Sequence, residues 1–152
     1  MLENLGKPVV ITGAQIPCSE VRSDGRENMI GALIVAGNYD LPEVMVLFNN
    51  KLLRGNRCIK IDNSGLEAFD SPNMPPLATM DISINVNYES VFRSAEVAPF
   101  DVCDSLCRSV VVLRIYPSMP IEMVRASLRA PIQGVVLQAL MHLVFMEEFI
   151  TT

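Results

Sequence analysis

Two short apolar runs, Val9-Val-Ile-Thr12 and Val44-Met-Val-Leu-Phe48, most constrain what this chain can fold into. Each is too short for a buried helix and reads as a strand covered on both faces. Between them, Ser23-Asp-Gly25 offers a turn and a helix N-cap. Arg26–Ala36 then reads as an amphipathic helix with Met29, Leu33 and Ala36 on one face, and Gly37-Asn38 makes a fitting C-cap. Strand, loop, helix and strand in that order form a βαβ unit with a right-handed crossover. The expected fold class is therefore α/β, built on a parallel, flavodoxin- or Rossmann-like sheet.

The flanks extend this pattern. Met1–Leu5 reads as the tail of a helix stopped by Gly6 and Pro8, the look of a chain whose start has been cut away. Asp70-Ser-Pro-Asn-Met-Pro-Pro76 is too proline-rich for a helix or a central strand. Ile82–Val86 alternates as a strand does, and Val97–Arg108 reads as a linker with a short helical turn. Val110–Ile115, Pro120–Leu128 and Gly134–Leu137 then repeat strand, helix and strand. Residues 1–105 are expected to be one domain, and residues 106–152 a linker and the start of a second. The segment 138–150 is expected to be a helix that covers exposed apolar surface.

Composition narrows the function. Half of the 152 residues are hydrophobic, and the net charge is −5, so nothing here attracts nucleic acid or an anionic membrane. No apolar run reaches the ~18 residues of a membrane span, and the N-terminus has no signal-peptide core. Cys18, Cys58, Cys103 and Cys107 form no Cys-x-x-Cys pair, and His142 is the single histidine. No metal site is expected, and reduced thiols in the cytoplasm fit this usage. His142 lies in an apolar segment and reads as a packed or partly exposed helix residue rather than part of a Ser–His–Asp set.

Two loops attract attention. Thr12-Gly-Ala-Gln15 follows a strand, where α/β proteins place ligands, but it lacks Gly-x-Gly-x-x-Gly and the phosphate-loop Gly-Lys-Ser/Thr. On spacing alone it is a structural turn, with a nucleotide-binding module as the alternative. After Phe48 the chain turns densely polar: Asn49-Asn-Lys-Leu-Leu-Arg-Gly-Asn-Arg-Cys-Ile-Lys60 reads as a polar loop at a strand end. Taken singly, Lys60 is a solvated surface lysine, Asn49 and Asn50 form a turn, and Asp24 is a helix cap.

Read together, four blocks say more. Lys7–Gln15, Arg22-Ser-Asp-Gly-Arg-Glu-Asn28, Phe48–Lys60 and Phe69-Asp-Ser-Pro-Asn73 resemble, in order and spacing, successive blocks of the bacterial-type L-asparaginases. The likeness is strongest to the type I cytosolic branch, which includes animal proteins also described as lysophospholipases. It extends over about residues 1–138. The resemblance implies hydrolysis of the L-asparagine side-chain amide to aspartate and ammonia, without metal or cofactor. It also implies a larger N-terminal and a smaller C-terminal α/β domain, and a homo-oligomer.

By the same resemblance Lys60 is the catalytic lysine. A lysine ammonium at such a place organises charge, whereas a lysine acting as a base needs burial to shed its proton. The backbone carbonyl of Ala14 lies beside the scissile amide, Gln15 meets the substrate, and Ser23 and Asp24 support the loop.

The family's threonine nucleophile and its Thr-Asp-Thr block do not occur here. Thr12 falls in a strand, Thr79 in an irregular segment, and Thr151 and Thr152 at the terminus. From about residue 138 the sequence has no likeness to the family. The expectation is a chain of the asparaginase family that is inactive alone, or a non-catalytic one that binds a full-length subunit or another partner. Without the family's preceding strands, Val9–Thr12 or a neighbouring strand would be an open sheet edge.

Overall fold

The computed structural model describes residues 1–93 and 98–139. The chain divides into two compact units, Met1–Cys103 and Asp104–Thr152.

The first unit holds β1 (Leu2–Glu3), β2 (Val9–Ile11), α1 (Gly25–Asn38), β3 (Val44–Phe48), β4 (Lys51–Arg54), β5 (Ile59–Lys60), β6 (Phe69–Asp70), β7 (Ala78–Met80), β8 (Ile84–Val86) and β9 (Asp101–Val102). Its main sheet runs β2-β3-β4-β7-β8. The expected βαβ unit is present: β2 pairs with β3 in parallel, Val9 opposite Val44. The α/β expectation holds, with a mixed rather than a purely parallel sheet, because the other three pairings are antiparallel.

The first of these comes from the stretch read as a polar loop. Asn49 and Asn50 both take positive φ, 44° and 62°, as a two-residue type I′ hairpin turn requires. The chain therefore returns as β4 with Phe48 opposite Lys51 and Met45 opposite Arg54. Leu52 and Leu53 are fully buried, which the surrounding polar residues concealed. β7 then pairs with β4, so Thr79 lies in a strand and not in an irregular segment.

The core is Val35, Leu41, Met45, Leu47, Leu52, Leu77 and Ala78. α1 meets it through Asn28, Gly31, Ala32 and Val35, spaced i, i+3, i+4, i+7. This is not the face expected from the sequence: Met29 and Leu33 are more than half exposed. The cause is close approach. A Cβ on Gly31 would lie 3.1 Å from Met80 Sδ and 3.3 Å from Leu47 Cδ2, so small residues face the sheet here and the large ones turn outward.

Three smaller expectations also change. Residues 1–5 contain β1, paired antiparallel with β9, and not a helix tail. Residues 98–108 contain that β9 strand and no helical turn. The helix proposed for 138–150 lies, from residue 140, outside the described residues, as does His142.

The second unit is described by β10 (Val110–Arg114), α2 (Ile121–Ser127) and β11 (Gly134–Gln138). β10 and β11 pair in parallel, Val110 opposite Gly134. Pro120 sits at the N-cap of α2, where its missing N–H costs nothing.

Candidate functional site

The loop after β2 and the start of α1 are bonded through one carboxylate. Asp24 stands at the N-cap position of α1 but makes no side-chain cap. Its carboxylate turns back instead and accepts the backbone N–H of Gln15 at 3.0 Å and of Ile16 at 2.9 Å. Ser23 Oγ donates to Ile16 O at 2.8 Å and accepts the Gly25 amide at 3.0 Å. Burial pushes the Asp24 carboxyl up, but the backbone amides of Ile16, Gln15 and Asp24 and the Asn28 amide outweigh it, so the net shift is downward. The two loop amides hold an internal anion where a phosphate would bind in a nucleotide module. This speaks against the nucleotide alternative.

The loop is also tight. A Cβ on Gly25 would lie 2.6 Å from Cys18 Sγ and 2.9 Å from Ala14 Cβ, so glycine is required for the loop to close against the helix. Ala14 itself is exposed and Gln15 half-buried.

Lys60 comes to this loop from β5. Its Nζ donates to Gln15 Oε1 at 3.1 Å and stands 5.7 Å from the centroid of the Phe69 ring. Phe69 lies on the paired strand β6, opposite Lys60, and its ring packs 5.0 Å from that of Phe48. Gln15 continues the bridge, donating Nε2 to Gly65 O at 3.0 Å. The turn at Gly65 is fixed by Asp62, whose carboxylate accepts the Ser64 amide at 2.7 Å and the Gly65 amide at 3.0 Å. The structure thus brings Gln15, Ser23, Asp24 and Lys60 into one network, with Ala14 in the same loop.

Several members escaped sequence reasoning. Asn28, buried at 4 % exposure, donates Nδ2 to Gly13 O at 2.9 Å and to Asp24 Oδ2 at 3.1 Å, and its Oδ1 accepts the Asn49 amide at 3.1 Å. Its signal was its place on the inner face of α1, visible only once that face is assigned correctly. Phe69 heads one of the four family blocks, but nothing in that block gives it a role beside Lys60. Asp62-Asn-Ser-Gly65 has the composition of an Asx turn, a signal absent from the expectations above.

Other nucleophiles fare poorly. Burial pushes the Cys58 thiol up, and the charge of Asp70 adds to this, so it is not a poised thiolate. Thr12 Oγ1 donates to Leu47 O at 2.8 Å and serves to join the ends of β2 and β3. Among the described residues no group of three or more His, Cys, Asp or Glu is placed to hold a metal ion. No described helix is long and apolar enough to cross a membrane.

A family model described as "Asparaginase, N-terminal" matches residues 1–92. The L-asparaginase of Dirofilaria immitis is 70% identical over 138 residues, covering 91% of this chain and 23% of that protein. The 60 kDa lysophospholipase of Mus musculus is 48% identical over 138 residues, covering 91% of this chain and 24% of that protein. The crystal structure of L-asparaginase I from Vibrio cholerae superposes with a TM-score of 0.80 at 41% identity, over 90% of this chain and 42% of that one. The chain thus spans less than half the length of these relatives. With its first 92 residues matched and its strands, loops and helix arranged as in a solved relative, the chain belongs to the asparaginase family.

Proposed function

We propose that this chain supplies one side of an asparaginase-type amide-hydrolysing site. In that reading Lys60 is the catalytic lysine, and the Ala14 carbonyl and Gln15 meet the side-chain amide of L-asparagine. Ser23 and Asp24 hold the loop that carries them. The observation that carries the reading is the hydrogen bond from Lys60 Nζ to Gln15 Oε1, 3.1 Å, which joins two blocks separated by 45 positions. Overall, water and the amide become a carboxylate and ammonia, and an exposed ammonium at this place stabilises developing negative charge. No cofactor enters. The reading includes a cytoplasmic homo-oligomer. It takes residues 1–105 as part of the larger family domain and 106–152 as a linker and the start of the smaller one, with the family likeness ending near 138.

The four threonines, at 12, 79, 151 and 152, include none followed by aspartate, so this polypeptide has no Thr-Asp block to partner Lys60. The purified 152-residue chain is therefore expected to release no more ammonia from L-asparagine than its Lys60→Ala variant. Turnover that depends on Lys60 would overturn that expectation. Binding is tested separately. L-aspartate should shift the NMR signals of Ala14, Gln15 and Lys60 in the parent chain and not in the Lys60→Ala variant. No shift at millimolar L-aspartate would sink the assignment.

A second reading is a non-catalytic chain that pairs with a longer subunit of the same family. The observation favouring it is the edge of the main sheet at β2, unpaired on its outer side among the described residues, where Ile11 is 54 % exposed. Co-expression with a longer family member followed by size-exclusion chromatography tests it, and separate elution would count against it.

A further inference from the structure

We propose that Asn28 is a positioning residue, the tie that holds the loop carrying Ala14 and Gln15 in register with the β3–β4 turn. Its amide is used at both ends. Nδ2 donates to Gly13 O and to Asp24 Oδ2, while Oδ1 accepts the Asn49 N–H. One side chain thereby joins the loop after β2, the start of α1 and the hairpin turn after β3.

The Gly13 bond matters most. Gly13 O belongs to the peptide that leads into Ala14, so holding that oxygen sets the plane from which the Ala14 backbone departs. Through Asp24 the same side chain steadies the carboxylate that grips the Gln15 and Ile16 amides. Gln15 in turn accepts Lys60. Asn28 acts through these neighbours, Gly13, Asp24 and Asn49.

The residue type is dictated by this arrangement. Leucine or alanine at an inner helix position would leave Gly13 O and the Asn49 N–H without their partner. Aspartate would keep an acceptor for Asn49 but has no donor, and it would set a second carboxylate beside Asp24. Serine is too short to reach both sides. The carboxamide is the one group of this size with a donor and an acceptor on opposite atoms.

The roles of Ala14 and Lys60 rest on the function proposed above, whereas the tie itself does not. The test therefore uses the 152-residue chain without any ligand, so failure of the substrate reading leaves it untouched. Amide hydrogen exchange is followed residue by residue. Asn28→Ala should speed exchange at both Gln15 and Asn49 about five- to thirtyfold, with Leu52 and Leu53 unchanged. Asn28→Asp should speed exchange at Gln15 while leaving Asn49 protected, a split that a generally loosened core would not produce. Equal rates in parent and variants, or a rise at Leu52 and Leu53 matching that at Gln15, would overturn the proposal. Should Asn28→Ala not fold, scalar couplings across the hydrogen bonds of the parent chain decide. They should link the Asn49 nitrogen to Asn28 Cγ and Asn28 Nδ2 to the Gly13 carbonyl carbon, and their absence counts against the tie.

Discussion

The chain builds a parallel strand–helix–strand arrangement twice, with very different results. In the first unit, β2, α1 and β3 are joined by three antiparallel strands, and Val35, Leu41, Met45, Leu47, Leu52 and Leu77 are all at most 1 % exposed. In the second, β10, α2 and β11 stand as a two-stranded sheet with a seven-residue helix. There Leu113, at 7 %, is the one residue among the buried hydrophobics of the described residues, while Val112, Val136 and Leu137 are more than half exposed. The same local grammar yields a core only where further strands widen the sheet beyond the first pair. Two strands and a short helix cannot enclose one.

The sharpest way to break this contrast is a matched pair of truncations. Leu52→Ala, in a strand buried on both sides, should lower the stability of the first unit by about 3–5 kcal/mol. Leu113→Ala should leave that transition where it was. Urea unfolding followed by a probe in each unit would show it, and equal losses would mean that the two units do not differ as described.

A step smaller is the ion pair that holds the main sheet to the segment after β8. Arg54 Nη2 donates to Glu43 Oε1 at 2.8 Å and to Ser90 O at 2.7 Å, and Glu43 also accepts the Phe92 amide. Glu43's side chain is 6 % exposed, so Arg54→Ala strands a buried carboxylate and should cost about 3 kcal/mol. The double change Glu43→Gln with Arg54→Met should cost clearly less, and a double-mutant cycle reads the coupling.

The Asp24 carboxylate offers a pH-dependent contribution. Its folded pKa lies below its unfolded value of about 3.9, so its share of stability is present above that value and is lost as pH falls through the folded one. The stability gap between the parent and Asp24→Asn should therefore be steady near neutrality and close below about pH 4. A gap that widened on acidification would contradict the bonding described for the loop. The smallest effect is expected at Ser71, whose buried Oγ has no hydrogen-bond partner among the described residues. Ser71→Ala should shift the urea midpoint only slightly and toward greater stability, by less than about 1 kcal/mol.

The parts of this molecule readable beforehand are those where local pattern and tertiary need coincide. Val9–Ile11, Val44–Phe48 and Val110–Arg114 are strands because β-branched runs have little else to become. The family blocks around Lys60 were legible because polar and glycine residues recur there in fixed order. Other features resisted for definite reasons. Leu52 and Leu53 are flanked by Lys51 and Arg54, so a doubly buried strand looked like a loop. The inner face of α1 consists of small and polar residues, so a hydrophobicity pattern points to its outer side. Asn28 was hidden by that same error, since its task depends on three segments meeting, and no single window of sequence contains them.

The Asn49-Asn50 turn also sets a timetable for folding. A two-residue turn brings Phe48 to Lys51 with almost no loop to close, on the ~1–10 μs scale of an isolated hairpin. Pairing of β2 with β3 must instead wait for the whole of α1 to be laid across, at a greater entropic cost. The hairpin is thus expected to form ahead of the parallel pair. Substitutions at Leu47 and Leu52 should then slow refolding, while substitutions at Val9 and Val10 should mainly hasten unfolding. The reverse order would show that the helix, and not the turn, organises the sheet.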